Sequence, residues 1–580
     1  MKIKIPISLS HSLSLALASI LCAVLPLDSR AADKAEIPPP VRTQRAIYAH
    51  YMGCYPVACN ATAYHRSHDA ALVRHDGKTP ADQNGGRWRN WPLVPEGMTL
   101  TLEESVDLEI RRAIRAGMDG FAIDMWAGEK ANCQKVIDAM FKVAEAKDYP
   151  FGITLCFDSG DVDGLRWLLT THGKSPKLGR VDGKPFFPGY YSVSKAANYA
   201  AKIMGEPIDP KDSFTKSPRV RTTPEGWDLM VKRFDEIAGE LGEPIYWHFD
   251  ISGLFLRVGG LDERKLKAEK LIPACEVFAK GGFAIGSFTG YPEEDQVAQA
   301  VRKVRGEYSQ PMWYQYDNAS WAFTHGDFLR TGTQILRENW RKAREYDTHV
   351  MQFVTWNDYT ENTSLAPGYQ THYAILDLNA YYAQWWKSGK EPQTDHDRIY
   401  ICFKRYGKDA KVFPFKERKY SIGDGVLEVL TILPTAATVR VPGRNTEYQA
   451  PAGVFVQHLP LTPGPVTVEV LRNDKVATRL ESPDPVTDRP YRDQADLYCF
   501  STEEARHWKA DFGDRPMFTA SEYGDDDHDG LPNWFEMYWF GKFFDWSTAT
   551  GADPNADPNG TGKTNLQHYL DQTSPEKPKP

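Results

Sequence analysis

The chain runs to 580 residues, with 69 Lys and Arg against 77 Asp and Glu, a formal charge of −8, and both signs are spread along it. That balance argues against nucleic acid as the main partner, and 41% hydrophobic with 25% charged residues excludes long disorder, collagen and coiled coil. At about 100–200 residues per domain the length allows roughly three to five domains, and the 12% aromatic content, 16 Trp included, suits handling of polar ligands with apolar faces.

The N-terminus reads as an address. Lys2 and Lys4 precede an apolar stretch from Leu13 to Leu27, and Ser29-Arg30-Ala31 places small residues at −3 and −1 of a signal-peptidase site. Residues 1–31 are therefore expected to be a signal peptide, and the mature chain to be secreted or periplasmic. Ser12, Ser14, Ser19 and Pro26 make the stretch too short and polar to span a membrane comfortably, and no later run approaches that length. Leu21 before Cys22 argues against lipidation. Of 8 cysteines, Cys22 leaves with the leader, and the odd remainder (Cys54, Cys59, Cys133, Cys156, Cys275, Cys402, Cys499) is no disulfide framework. Cys54 and Cys59 are spaced for one local bridge or for none.

Eight short apolar runs follow: 45–52, 120–126, 151–158, 184–191, 244–250, 283–289, 311–317 and 351–358. Helical patterns at 102–116, 133–147, 224–241, 263–279, 293–306 and 333–346 separate most of them. Alternation of this kind predicts an α/β fold, a (β/α)8 TIM barrel over 32–390. A doubly wound sheet is the alternative, without a Gly-x-Gly-x-x-Gly fingerprint after the first strand. From about Arg398 short alternating strands (398–403, 426–432, 437–441, 454–458, 466–472) predict an antiparallel β-sandwich over 391–490. A linker is expected at 491–520 and an acidic tail at 521–580.

Chemistry in such a barrel sits at the carboxyl ends of the strands. Those ends read His50 and Tyr51; Asp124 and Trp126; Asp158; Tyr190 and Tyr191; His248 and Asp250; Tyr314 and Asp317; and Trp356, Asn357 and Asp358. Asp158 and Asp317 are as well explained as helix N-caps, but several carboxylates on one rim are costly unless they bind something. Tyr51, Trp126, Tyr314 and Trp356 are candidate stacking faces for a sugar. The densest stretch is Thr355-Trp356-Asn357-Asp358-Tyr359-Thr360-Glu361-Asn362. Asp358 and Glu361 could be an N-cap with its capping-box partner. With Trp356 to stack and Asn357 to bond hydroxyls, they also suit glycoside hydrolysis, which needs two carboxyl groups flanking one bond, one of them kept protonated by its neighbour's charge.

The run Val354-Thr355-Trp356-Asn357-Asp358-Tyr359-Thr360-Glu361 resembles the Trp-Asn-Asp-Tyr-Gly-Glu signature of glycoside hydrolase family 71, the α-1,3-glucanases or mutanases. Ile47-Tyr48-Ala49-His50-Tyr51-Met52 and the stretch from Ala116 to Asp124 resemble that family's first-strand and second-strand segments, so the likeness spans roughly 45–475. Family 99, with Trp-Asn-Glu-Trp-His-Glu, has the same carboxylate spacing; the Asp-Tyr pair favours family 71. The resemblance implies an inverting hydrolase of α-glucan with Glu361 as general acid and Asp358 activating water. Thr360 stands where the family has Gly. Insertions at 54–98 and 192–223 would redraw the cleft. An α-mannan hydrolase of the family 99 kind, and a cell-surface carbohydrate-binding protein without turnover, are the other readings.

Near the C-terminus, Asp525-Asp526-Asp527-His528-Asp529-Gly530-Leu531-Pro532-Asn533-Trp534-Phe535-Glu536 fits D-x-D-x-D-G-x5-E. Asp525, Asp527, Asp529, the Leu531 carbonyl and Glu536 are the expected ligands of one structural Ca2+, although an acidic solvated linker is also compatible. The segment resembles thrombospondin type 3 calcium-binding repeats. A second, degenerate copy around Asp553, Asn555, Asp557 and Asn559 carries Thr561 and His568 in ligand slots. Without His-x-His or His-Glu-x-x-His, no catalytic metal or organic cofactor is expected. The partner expected is a polysaccharide, without membrane insertion after leader cleavage; attachment to a cell surface is left open.

Overall fold

The computed structural model describes residues 45–58, 90–95, 98–125, 130–158, 161–190, 192–211, 214–256, 258–287, 294–316, 331–359, 361–404, 425–490, 497–517, 521–541 and 548–575. The leader, Cys59, Trp126, Tyr191, Asp317 and Thr360 lie outside them.

The first part is α/β. Its elements are β1 (Ala46–Met52), α1 (Leu102–Arg115), β2 (Gly120–Asp124), α2 (Lys130–Ala146), β3 (Gly152–Leu155), β4 (Phe157–Asp158), α3 (Val162–His172), β5 (Arg180–Val181), β6 (Lys184–Tyr190), α4 (Ser192–Met204), α5 (Pro218–Arg221) and α6 (Pro224–Leu241). After them come β7 (Tyr246–Asp250), α7 (Glu263–Lys280), β8 (Ala284–Gly286), α8 (Glu294–Lys303), β9 (Glu307–Ser309), α9 (Gln334–Glu345), β10 (Val350–Phe353) and α10 (Ala374–Ser388). Two parallel-strand sheets result, in the orders β10-β1-β2-β3 and β4-β6-β7-β8-β9, with β5 antiparallel to β6. Past β9, Met312 bridges Phe353 in parallel: the Val354 amide donates to Met312 O at 2.7 Å.

Helix ends follow local chemistry. Thr101 and Glu104 make a reciprocal capping box on α1, while Thr223 caps α6 ahead of Pro224 and Gly242 closes it in the left-handed conformation. Gly120 is required by close approach, since a Cβ there would lie 2.3 Å from the Tyr48 ring.

Strand periodicity of two sorts the side chains. On one face Ala46, Tyr48, Ala122, Phe186, Tyr246, Ala284 and Val350 cluster at the amino ends of the strands. His50, Asp124, His248, Asp250 and Gln352 continue that face at the carboxyl ends. The opposite face, with Ile47, Ala49, Tyr51, Phe121 and Phe249, belongs to the larger core that includes helix residues. The seventh strand lies earlier than expected, at Glu307–Ser309 instead of 311–317. Pro311 has no N–H to offer a ladder there.

Eight antiparallel strands follow: β11 (Arg398–Lys404), β12 (Val426–Leu433), β13 (Ala437–Val441), β14 (Thr446–Ala450), β15 (Gly453–Pro460), β16 (Thr467–Arg472), β17 (Lys475–Glu481) and β18 (Leu497–Ser501). They form sheets β15-β12-β11-β18 and β14-β13-β16-β17. Ile399, Ile401, Val429, Val439, Val468 and Val470 fill the space between them. The reverse face of the first sheet, with Tyr400, Cys402, Leu430 and Cys499, packs into the core of the α/β part. Strands β11 and β12 are therefore buried almost throughout, whereas β17 alternates and is largely exposed.

One expectation is corrected here, and one question left open by spacing is answered. Residues 491–520 hold more than a linker: β18 pairs with β11, and α11 (Glu504–Phe512) packs back on α1. Among the described residues one disulfide joins Cys402 to Cys499, and Cys54 is a free, buried thiol. The pairing arises because β11 and β18 place Cys402 directly opposite Cys499. The tail contributes α12 (Asn533–Trp539) and α13 (Asn565–Leu570) around a small aromatic core of Trp534, Phe535 and Tyr538.

Candidate active site

Asp358 and Glu361 lie on the loop that follows β10. The Val354–Thr355 peptide bond is cis. Thr355 knits the loop: its hydroxyl accepts from the Asp358 amide at 2.9 Å and meets the Thr363 hydroxyl at 2.9 Å. The Trp356 amide donates to His50 O at 2.6 Å, tying the loop to β1. The Glu361 amide donates to Asp358 Oδ1 at 3.0 Å, so the two carboxyl-bearing residues share one turn. Asp358 is 7% exposed and Glu361 half-buried.

Beside this loop the carboxyl ends of the strands bring together a polar group. His50 Nδ1 lies 3.2 Å from Gln352 Nε2, and its Nε2 lies 3.6 Å from Asp124 Oδ2. Among the described residues, Asp124 Oδ1, both ring nitrogens of His248 and Gln352 Oε1 are buried without a hydrogen-bond partner. Burial alone pushes His248 down to about 4, which keeps its imidazole neutral. Cys156 lies in this group too; burial, with Asp124 and Asp158 beside it, raises its thiol. Asp250 is nearly buried and Asp158 half-buried. Orphaned buried polar atoms are costly, and those of Asp124, His248 and Gln352 lie on one face of the strands.

Four of the expected ligand contacts are corrected. Tyr51 is fully buried, packs on Phe121 at 4.8 Å, and donates to Glu109 Oε2 at 2.7 Å. Trp356 is also fully buried, 5.2 Å from Phe121, with its indole N–H on Glu109 Oε1 at 3.3 Å. Tyr314 is buried and donates to Ser364 O. None of these rings presents a face to a sugar. Asn357, fully buried, spends its amide on the turn after β1: Oδ1 accepts from the Met52 amide at 2.7 Å, and Nδ2 donates to Met52 O and Tyr55 O. Parity along β1 carried the signal for Tyr51, since a residue next to inward-facing His50 must face the helices. The same parity, counted from Val350, would have found Gln352.

In the tail, Asp525, Asp527 and Asp529 offer oxygens within 4.8 Å of one another. Glu536 on α12 is fully buried; its Oε1 accepts from the Ala552 amide at 2.8 Å, and its Oε2 has no partner among the described residues. Burial, with Asp527 and Asp529 beside it, pushes Glu536 up to about 7. Gly530 makes the turn at φ +97°. Asp525 accepts from the Asp529 and Gly530 amides, and Leu531 is buried with its amide on Asp529 Oδ1. The donor set is all oxygen, which suits a hard cation.

Residues 293–500 match the sequence model of glycosyl hydrolase family 71. A search of curated proteins found no match. Among solved structures the chain is similar to a GH99 endo-alpha-mannosidase from Bacteroides thetaiotaomicron, at 14% identity over 53% of this chain and 86% of that one, TM-score 0.35. It is also similar to an endo-beta-1,4-mannanase from Thermotoga petrophila, at 10% identity over 69% and 98%, TM-score 0.26. The family 71 match spans the loop that bears Asp358 and Glu361, and it identifies this chain, through residues 293–500, as a glycoside hydrolase.

Proposed function

We propose that the chain is an exported hydrolase of α-linked glucan that cuts α-1,3-glucosidic bonds by inversion. Glu361 protonates the glycosidic oxygen as the bond to the anomeric carbon breaks, and Asp358 takes the proton of the water that attacks the opposite face. The observation that carries the reading is the family 71 match over the segment holding both carboxyl groups. The orphaned atoms of Asp124, His248 and Gln352 support a seat for sugar hydroxyls nearby, with His50, Asp158 and Asp250 at the same strand ends. Closure of the two parallel sheets into one (β/α)8 barrel is part of the proposal. It is supported by the single residue, Cys156, between β3 and β4 and by the Met312–Phe353 bridge.

Export is supported by the leader pattern and by the Cys402–Cys499 disulfide, which an oxidising compartment allows. One structural Ca2+ at Asp525, Asp527, Asp529, the Leu531 carbonyl and Glu536 is supported by the unpartnered Glu536 Oε2. The deciding experiment incubates the mature chain with α-1,3-glucan, α-1,4-glucan, α-mannan and β-glucan and scores released reducing ends. Release from α-1,3-glucan is expected. Release from α-mannan alone moves the substrate to mannan, and binding without release makes the chain a carbohydrate-binding protein.

A further inference from the structure

Glu109 is a carboxylate in the wrong place for an ordinary helix residue. It sits in the middle of α1 at 1% exposure, facing the back of β1, where an apolar side chain would pack without cost. Three buried donors converge on it from two separate stretches of chain. Tyr51 Oη on β1 lies 2.7 Å from Oε2, the Val57 amide in the turn after β1 lies 3.4 Å from the same oxygen, and Trp356 Nε1 lies 3.3 Å from Oε1. Tyr51, Val57 and Trp356 are all buried, so these donors have no bulk water to replace Glu109.

Asp358 is two residues beyond Trp356. The backbone leading to it is held by the Trp356 amide on His50 O, by the Ala366 amide on Trp356 O, and by the Asn357 side chain on Met52 and Tyr55. Those contacts tie the loop to β1, the turn after it and the loop itself. The Trp356 indole ties it to α1. We propose that Glu109 is a positioning residue for the hydrolytic centre, fixing the Trp356–Asp358 segment against α1 through the Trp356 indole. The proposal rests on the reading of Asp358 and Glu361 as the reacting pair. Glu109 touches no substrate and exchanges no proton with it. Its loss therefore displaces Asp358 and lowers kcat, while KM, set by the strand-end groups, stays near its starting value. A displacement of about 1 Å can cost on the order of 100-fold.

Three variants test this: Glu109→Ala, Glu109→Gln and Trp356→Phe, the last keeping the ring packed on Phe121 while deleting the N–H. The expected result is a kcat lower by about 10- to 100-fold in Glu109→Ala with KM within about threefold. Glu109→Gln, whose carbonyl can still accept from Trp356, should recover part of the loss. Trp356→Phe should lose about tenfold, and the Glu109→Ala/Trp356→Phe double variant should lose no more than Glu109→Ala alone. Amide exchange over residues 354–366 should quicken in Glu109→Ala and Trp356→Phe, with β12 and β16 unchanged. A folded Glu109→Ala with kcat within twofold of the parent, losses that multiply in the double variant, or unchanged exchange over 354–366 would overturn the proposal. If Glu109→Ala does not fold, Glu109→Gln and Trp356→Phe decide by the same criteria. If the parent hydrolyses no polysaccharide, the functional reading fails, and the exchange measurement still judges Glu109.

Discussion

Asp358 and Glu361 are three residues apart, and the bond from the Glu361 amide to Asp358 Oδ1 makes one turn of them. An Asp cap alone would explain that bond; the family match and the orphaned groups beside it do not follow from a cap. Asp358→Asn and Glu361→Gln change charge with little change in shape. Each should lower kcat on α-1,3-glucan by about 100-fold or more, as removal of a general acid or base does. Near-parental turnover in either folded variant would remove that residue from the reacting pair. His248 supplies a second prediction. Its folded value is pushed down to about 4 by burial from an ordinary 6.5, so between those values the unfolded chain holds more protons. Stability from the neutral ring is present above 6.5 and is lost as pH falls towards 4, by up to roughly 3 kcal/mol. Urea melts between pH 4 and 7 should show this acid limb, and His248→Phe should flatten it.

Elements show what short sequence patterns encode. In the tail, two loops 32 residues apart repeat the same bonds. Asp525 accepts from the Asp529 and Gly530 amides, as Asp557 does from the Thr561 and Gly562 amides. The Asn533 side chain donates to Ser521 O, as that of Asn565 does to Asp553 O. The loops differ where the ion would sit. Glu536 Oε2 is unpartnered in the first, whereas in the second Thr561 Oγ1 and His568 Nε2 bond each other at 2.6 Å. A bonded Thr–His pair fills the space that two carboxylates would leave to a cation. Calorimetric titration should therefore give one Ca2+ per chain, lost in Asp529→Asn, and the pair Thr561→Asp with His568→Glu should create a second. Two ions on the parent chain would contradict this. The repeat was readable as spacing; the bond between its substituted positions was not, because it depends on how α13 returns over the loop.

Across the whole molecule, the C-terminal strands are part of the α/β core and do not hang from it. Arg112 on α1 bonds Asp511 on α11 at 2.5 Å, and Arg115 bonds the same carboxylate. Burial would raise Asp511, yet Arg112 and Arg115 hold it below the usual carboxylate range. Arg112 is 1% exposed at its side chain and Asp511 is fully buried at its own, so removing the carboxylate leaves the buried Arg112 charge without its counter-ion. Asp511→Asn should cost about 3 kcal/mol or more in denaturant unfolding, and a change under about 1 kcal/mol would show the clasp to be replaceable.

Much of the strand and helix order was legible in the sequence because period-two and period-3.6 patterns and caps are local, as in α6, which spans 224–241 from its Thr-Pro start to its Gly stop, whereas α3, α4 and α10 were not read from it. The Asp358–Glu361 spacing was legible for the same reason. Which neighbours those residues keep was decided only by tertiary structure. Tyr51 and Trp356 look like sugar platforms along the chain and become core rings once Glu109 arrives from α1 to take their protons' bonds. Cys402 finds Cys499 across 97 residues only when β18 lies beside β11. A linear pattern specifies the face on which a side chain leaves the backbone. What meets it there depends on segments hundreds of residues away, and that encounter separates a ligand contact from a core contact.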